Sequence, residues 1–152
     1  MPATLIIGYG NPLRGDDAVG YLAAERLQQR NQDPEIEIIA CHQLTPELVD
    51  PISRTRHVIF IDASVEGEAG AISLTPVEAE VAVGLGFTHF TAPAGLLAGA
   101  QSLYGKAPKA TLICIAGESF EIGDRLSAPV AAALEELCRR DLLHLEDAKS
   151  QS

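Results

Sequence analysis

Four short, almost wholly apolar segments limit how this chain can fold. They lie at 5–7, 36–40, 58–61 and 112–115. Continuous apolar strands are typical of a sheet that is covered on both faces, since side chains on each face then need apolar neighbours. Segments with helical periodicity lie between them. We therefore expect a three-layer α/β/α sandwich with a mostly parallel central sheet of about five strands, in which 71–74 adds a strand of undetermined direction.

Helical periodicity predicts four helices around these strands. They are expected at 18–30, at 45–52, from 91–93 onwards, and after Ser127, which is expected to cap the last helix. In the third helix, Leu96, Ala100 and Leu103 are spaced to face the core. Residues 76–91 have only a weak helical pattern at 77–83, and long irregular segments in small domains are often functional loops.

Composition restricts the classes of partner. The chain has 152 residues and a net charge of −10, so its surface repels nucleic acid and anionic membranes. No apolar run approaches the roughly 20 residues that a membrane-spanning helix needs, and the first residues do not resemble a signal peptide. We expect a cytoplasmic monomer with a single domain at 1–145 and a flexible polar tail at 146–152.

The cysteines suggest neither disulfides nor a structural zinc site. Cys41, Cys114 and Cys138 are odd in number and widely spaced, which is typical of reduced thiols that fill a core. There is no CxxC pair and no cluster of cysteines with histidines, so a self-contained zinc site is not expected. No organic cofactor is expected either.

The turn after the first strand carries the densest chemical signal. Its sequence, from Gly8 to Gly20, is GYGNPLRGDDAVG, which combines four glycines with the adjacent acids Asp16 and Asp17. Glycines let a strand-to-helix turn approach a ligand closely, and two acids at such a turn are suited to holding cations or moving protons. The plainer alternative is that Asp16 or Asp17 caps the following helix.

Further polar residues are predicted at the same edge of the sheet. Asp62 directly follows the apolar segment 58–61, Glu118 follows the last strand, and His89 lies in the irregular segment. Ligands of parallel sheets bind at the carboxyl ends of the strands. Carboxylate and imidazole groups together suit a borderline divalent metal such as zinc or nickel, and three protein ligands leave coordination positions open.

Each of these residues also has a structural interpretation. Asp62 could form a turn at a strand end, His89 could be an ordinary surface histidine, and Glu118 could be a solvated turn acid. The case for a site therefore depends on several of them converging on one edge.

Taken together, the motifs resemble those of the [NiFe]-hydrogenase maturation endopeptidases, a family of M52-like peptidases with a phosphorylase/hydrolase-like fold. Segment 8–20 resembles the family's first motif, the strand that ends in Asp62-Ala63 the second, and Thr88-His89 with the following Leu96-Leu97 helix the third. Residues 117–123, with Leu126-Ser127 and Val130, resemble the C-terminal region. The likeness covers nearly the whole chain in the right order.

This resemblance implies a function. Such enzymes remove a C-terminal extension from the hydrogenase large-subunit precursor after nickel insertion, and the nickel arrives with the substrate. By the match, Asp17, Asp62 and His89 are the catalytic, metal-contacting residues, although many members have Glu where this chain has Asp17. Asp16 and Glu118 are candidates for supporting or proton-handling roles, and the expected partner is a large-subunit precursor.

Other functions compete with this one. The chain has no HExxH helix and no evident serine or cysteine nucleophile with a base, which favours metal-assisted amide hydrolysis. Gly8-x-Gly10 after a strand also fits a dinucleotide-binding turn, but Leu13 replaces the third glycine and the neighbouring acids would repel a pyrophosphate. A free-standing metallohydrolase with its own metal and a non-catalytic assembly factor stay open as alternatives.

Overall fold

The computed structural model describes residues 2–79, 90–140 and 142. The strands are β1 (Thr4–Tyr9), β2 (Ile36–Cys41), β3 (His57–Ser64), β4 (Ile72–Pro76) and β5 (Lys109–Ala116). The α-helices are α1 (Val19–Arg30), α2 (Val49–Ser53), α3 (Pro93–Tyr104) and α4 (Ala128–Arg139). Short 3-10 turns at Gly15–Ala18 and Pro46–Leu48 lead into α1 and α2. In the described part of the chain, no helix is long and apolar enough to cross a membrane.

The five strands form one sheet in the order β2-β1-β3-β5-β4. All neighbouring pairs are parallel except β4 with β5, which is antiparallel. The predicted mostly parallel sheet of about five strands is confirmed, and the direction of the segment at 71–74 is now assigned. Because β1 and β3 lie side by side in the middle of the sheet, the loops that follow them meet at its carboxyl edge.

Alternate residues of the central strands pack against opposite helical layers. One core contains Leu5, Ile7 and Phe60 and is covered by α2 and α3, while the other contains Ile6, Ile59 and Ile61 and is covered by α1 and α4. This alternation is why the strands had to be apolar on both faces, and it confirms the three-layer sandwich.

Several details differ from the expectations. Leu103 is 69% exposed, and Leu97 packs beside Leu96 and Ala100 instead, so the predicted inner face of α3 was wrong at its last residue. Ser127 is the N-cap of α4, but its side chain makes no capping bond. Strand β3 continues to Ser64, so Asp62 belongs to the strand and does not follow it. The predicted tail at 146–152, and 80–83 of the weak helical pattern, lie outside the described residues.

Candidate functional site

Side chains at or near the ends of four neighbouring strands form a row towards the carboxyl edge of the sheet. Tyr9 pairs in register with Cys41, and Asp62 pairs with Cys114. Gly8 pairs with Ile61, which brings Tyr9 next to Asp62 on the adjoining strand. Each member of the row comes two residues after a side chain that belongs to, or packs against, the core covered by α2 and α3. Residues two apart in a strand point to the same face. The row therefore faces that helical layer.

Asp62 and Tyr9 form the polar centre of this row. The Tyr9 hydroxyl donates a hydrogen bond to the Asp62 carboxylate, and the backbone N–H of Ala63 donates to Asp62 Oδ1 at 2.7 Å. Tyr9 is buried, and its pKa is raised well above the ordinary value by burial and by the charge of Asp62. Tyr9 therefore stays protonated and acts as a fixed donor. The sequence-based search for site residues missed Tyr9, although its place at the end of β1 was a usable signal.

The electrostatics of Asp62 bring Asp17 into the same site. Burial raises the pKa of Asp62, the hydrogen bonds from Tyr9 and Ala63 lower it, and the negative charge of Asp17 raises it. A charge has such an effect only when it lies close by in poorly screened surroundings. The 3-10 turn Gly15–Ala18, which carries Asp17, also packs against β3, which carries Asp62, so both carboxylates lie at this edge.

Two neighbouring thiols are poor nucleophiles. Burial raises the pKa of Cys114, and the charge of Asp62 adds to the increase. Burial also raises the pKa of Cys41, against a hydrogen bond from Gln43 that lowers it. Cysteine chemistry needs the thiolate form, which these surroundings disfavour. Both cysteines are free, as predicted, and line the site as small, neutral, half-buried side chains.

Asp17 is positioned by the glycine-rich loop. Its Oδ2 accepts a hydrogen bond from the backbone N–H of Asn11 at 2.8 Å. Gly10 is required for this close approach, because a Cβ at that position would lie 1.8 Å from the carbonyl oxygen of Asp17. Ala18 is the N-cap of α1 and no side chain caps that helix or the 3-10 turn before it, so the alternative that Asp16 or Asp17 is a helix cap is wrong.

Asp16 has a different environment from Asp17. It is fully buried, and its Oδ2 accepts hydrogen bonds from the N–H of Glu118 at 2.8 Å, the N–H of Ser119 at 3.0 Å and the hydroxyl of Ser127 at 2.8 Å. Its Oδ1 accepts from the N–H of Ser127 at 2.7 Å. A carboxylate with four donors is held in its ionised form. Asp16 therefore ties its own loop to the loop between β5 and α4.

The structure places Glu118 near this edge but does not test the predicted metal set. Glu118 has an exposed side chain, while its backbone is bound to Asp16. His89 lies outside the described residues. Among the residues that the structure describes, no three histidine, cysteine or acidic side chains form a metal-binding group. Asp17 and Asp62, two of the three predicted ligands, lie at one edge, and the metal-binding role of all three residues stays a prediction.

The fold and this edge define a class of protein: a three-layer α/β domain with paired carboxylates where its parallel strands end. No family model matches the sequence, and no curated protein matches it. Solved structures do match. The hydrogenase maturating endopeptidase HybD from E. coli has a TM-score of 0.77 and 25% identity, over 97% of this chain and 94% of that one.

Two further structures extend the comparison. The [NiFe] hydrogenase maturation protease HycI from Thermococcus kodakarensis has a TM-score of 0.72 and 26% identity, over 89% of this chain and 86% of that one. An endopeptidase from Escherichia coli has a TM-score of 0.71 and 27% identity, over 97% and 94% of the two chains. These similarities confirm the resemblance that the sequence motifs indicate, to the [NiFe]-hydrogenase maturation endopeptidases, and they support a maturation protease role.

Proposed function

We propose that the protein is an endopeptidase that removes the C-terminal extension of a [NiFe]-hydrogenase large-subunit precursor after nickel has been inserted. The observation that carries the proposal is the pairing of Asp17 with Asp62 at the carboxyl edge of the sheet, in a chain built like known maturation proteases. The charge of Asp17 raises the pKa of Asp62, and a divalent ion between the two carboxylates would relieve that repulsion.

In this proposal the nickel belongs to the substrate. The precursor brings the ion to Asp17 and Asp62, with His89 as the third contact, and the protein supplies no organic cofactor. The fixed Tyr9 hydroxyl orients Asp62 for that contact. Docking through the ion makes cleavage depend on completed nickel insertion, since a precursor without nickel lacks the group that Asp17 and Asp62 recognise.

The reaction is the hydrolysis of one amide bond. Water adds to the carbonyl carbon while a carboxylate at the edge takes its proton; the C–N bond then breaks, and the leaving amine takes a proton. Asp16 is unsuited to be the base, because four hydrogen-bond donors already occupy its oxygens. Glu118, whose side chain is exposed close to Asp16, is the candidate that fits.

The test is processing of the nickel-loaded precursor, followed by the intact mass of the large subunit. The wild-type protein is expected to release one C-terminal fragment, while Asp17→Asn and Asp62→Asn are expected to lose processing and stay folded. Asp124→Asn, an exposed acid of the loop after β5, is the matched control and should process normally. An uncut precursor bound by the wild-type protein would instead indicate a non-catalytic assembly factor.

A further inference from the structure

Two loops at the carboxyl edge present large apolar side chains to solvent. Leu13, in the loop after β1, is 64% exposed, and Ile122, in the loop between β5 and α4, is 84% exposed. Single exposed apolar residues are common and need no explanation, whereas neighbouring ones on a fixed surface mark sites of interaction. Leu13 and Ile122 would form such a site only as neighbours on fixed loops.

Backbone pairing makes them neighbours. The N–H of Gly123 donates to the carbonyl of Leu13 at 2.9 Å, and the N–H of Gly15 donates to the carbonyl of Gly123 at 2.9 Å. These bonds form a parallel bridge between Arg14 and Gly123. The bridge places the backbone of Leu13 beside that of Ile122, because the peptide N–H that follows Ile122 is bonded to the carbonyl of Leu13. We call this pair the Leu13–Ile122 patch.

The exposure of the patch is built into the loops. Both backbone groups of Leu13 are bonded, because its N–H also donates to the Asn11 side chain at 2.9 Å. These two bonds fix the backbone of Leu13 in the loop. The loop with Ile122 is held in turn by the four hydrogen bonds that its residues donate to Asp16. A rigid apolar surface binds a partner without the entropic cost of ordering it.

The position of the patch identifies what binds there. The loop that carries Leu13 also carries Asp17, whose carboxylate is bonded to the N–H of Asn11. The loop that carries Ile122 also carries Glu118. In the proposed function, a precursor whose nickel contacts Asp17 and whose cut bond lies near Glu118 rests against both of these adjoining loops. Resting on the proposed function, we propose that the Leu13–Ile122 patch docks an apolar segment of the precursor protein beside the bond that is cut.

The experiment measures processing of the nickel-loaded large-subunit precursor over a range of precursor concentrations. Replacing both residues, as Leu13→Ser with Ile122→Ser, removes apolar contact area with the precursor but no group that touches the cut bond. We expect KM to rise about tenfold while kcat stays within about twofold. Leu103→Ser is the matched control, because Leu103 is equally exposed but lies on α3 just before β5 begins, at the opposite edge of the sheet. It should leave both constants unchanged.

Two further measurements distinguish a loss of docking from a folding defect and from a failure of the proposed function. Ile122→Ser alone, at the more exposed position, should raise KM with an unchanged unfolding temperature, which guards against a folding defect in the double variant. The Kd of the precursor is measured in parallel for the wild-type and double-variant proteins. If wild-type protein binds without cutting, the proposed function fails, and a weaker Kd in the variant still supports docking. An unchanged KM and Kd in the variant, or no binding by wild-type protein, overturns the proposal.

Discussion

Asp16 and Ser127, 111 positions apart in the chain, are joined by two hydrogen bonds. The Ser127 N–H donates to Asp16 Oδ1 at 2.7 Å, and the Ser127 hydroxyl donates to Asp16 Oδ2 at 2.8 Å. Ser127 is the N-cap of α4, while Asp16 is adjacent to the site residue Asp17. The pair therefore couples the start of a core helix to the loop that presents a predicted ligand.

This coupling makes Asp16 important for stability. Asp16→Ala removes the buried acceptor shared by the backbone N–H groups of Glu118, Ser119 and Ser127, and we expect a loss of about 2–4 kcal/mol in the free energy of unfolding. Urea unfolding measures it directly. Asp124→Ala, at an exposed position of the loop between β5 and α4, should change the free energy of unfolding by no more than about 0.5 kcal/mol. Equal effects of the two substitutions would contradict the role given to Asp16.

The same carboxylate makes the folding stability depend on pH, and the direction of that dependence follows from its pKa. Burial acts to raise the pKa of Asp16, but hydrogen bonds from Ser119, Ser127 and Glu118 bring it below the ordinary value of 3.8. A depressed pKa in the folded state adds stability that is present above pH 3.8 and lost as the pH falls towards the folded value. The stability gap between wild-type protein and Asp16→Asn should therefore be constant near neutral pH and narrow below 3.8. Unfolding curves at several pH values test this, and a gap that widens in acid would contradict it.

Much of the fold follows from local patterns, and its exceptions have physical causes. The apolar segments at 5–7 and 58–61 predicted a covered parallel sheet because their own residues must be buried on both faces. The sequence did not determine the direction of β4. This five-residue edge strand is antiparallel to β5 and is held by backbone pairing, which leaves no signal in the side-chain pattern. Leu103 was predicted to face the core because its spacing continues that of Leu96 and Ala100. Spacing does not show where along a helix the contacts with the core end.

The site was predictable where a residue follows a strand, and unpredictable where a distant partner decides its role. Asp17 and Asp62 were expected at one edge because β1 and β3 are parallel and deliver their ends together. Asp16 and Asp17 look equivalent in the sequence. They differ because residues 118, 119 and 127, more than a hundred positions away, donate to Asp16 alone.

Gly10 tests the close approach of the loop to Asp17. A Cβ would lie 1.8 Å from the Asp17 carbonyl oxygen, so Gly10→Ala must displace this backbone. We expect a loss of more than about 2 kcal/mol in unfolding free energy, together with a loss of precursor processing. Gly123→Ala is the control, because its Cβ would have no atom within 4 Å and stability should hold. A stable, active Gly10→Ala variant would refute the packing described for this loop.

Tyr9 tests the environment of Asp62. Tyr9→Phe removes the hydroxyl that lowers the pKa of Asp62 and leaves the opposing effect of burial in place, so this pKa should rise. Carbon NMR of the labelled Asp62 carboxyl group follows the change without any substrate. Tyr21→Phe is the matched control, since the Tyr21 hydroxyl interacts with Glu25 instead. An unaltered titration of Asp62 in Tyr9→Phe would rule out the hydrogen bond as a determinant.

The most direct measurement of the central claim compares two forms of one precursor. Nickel-loaded and nickel-free large subunits are incubated separately with the wild-type protein, and the intact mass of each is followed over time. Recognition of substrate-bound nickel by Asp17 and Asp62 predicts that only the loaded form loses its C-terminal extension, and that Asp62→Asn abolishes this loss. Processing of both forms at the same rate would contradict the account.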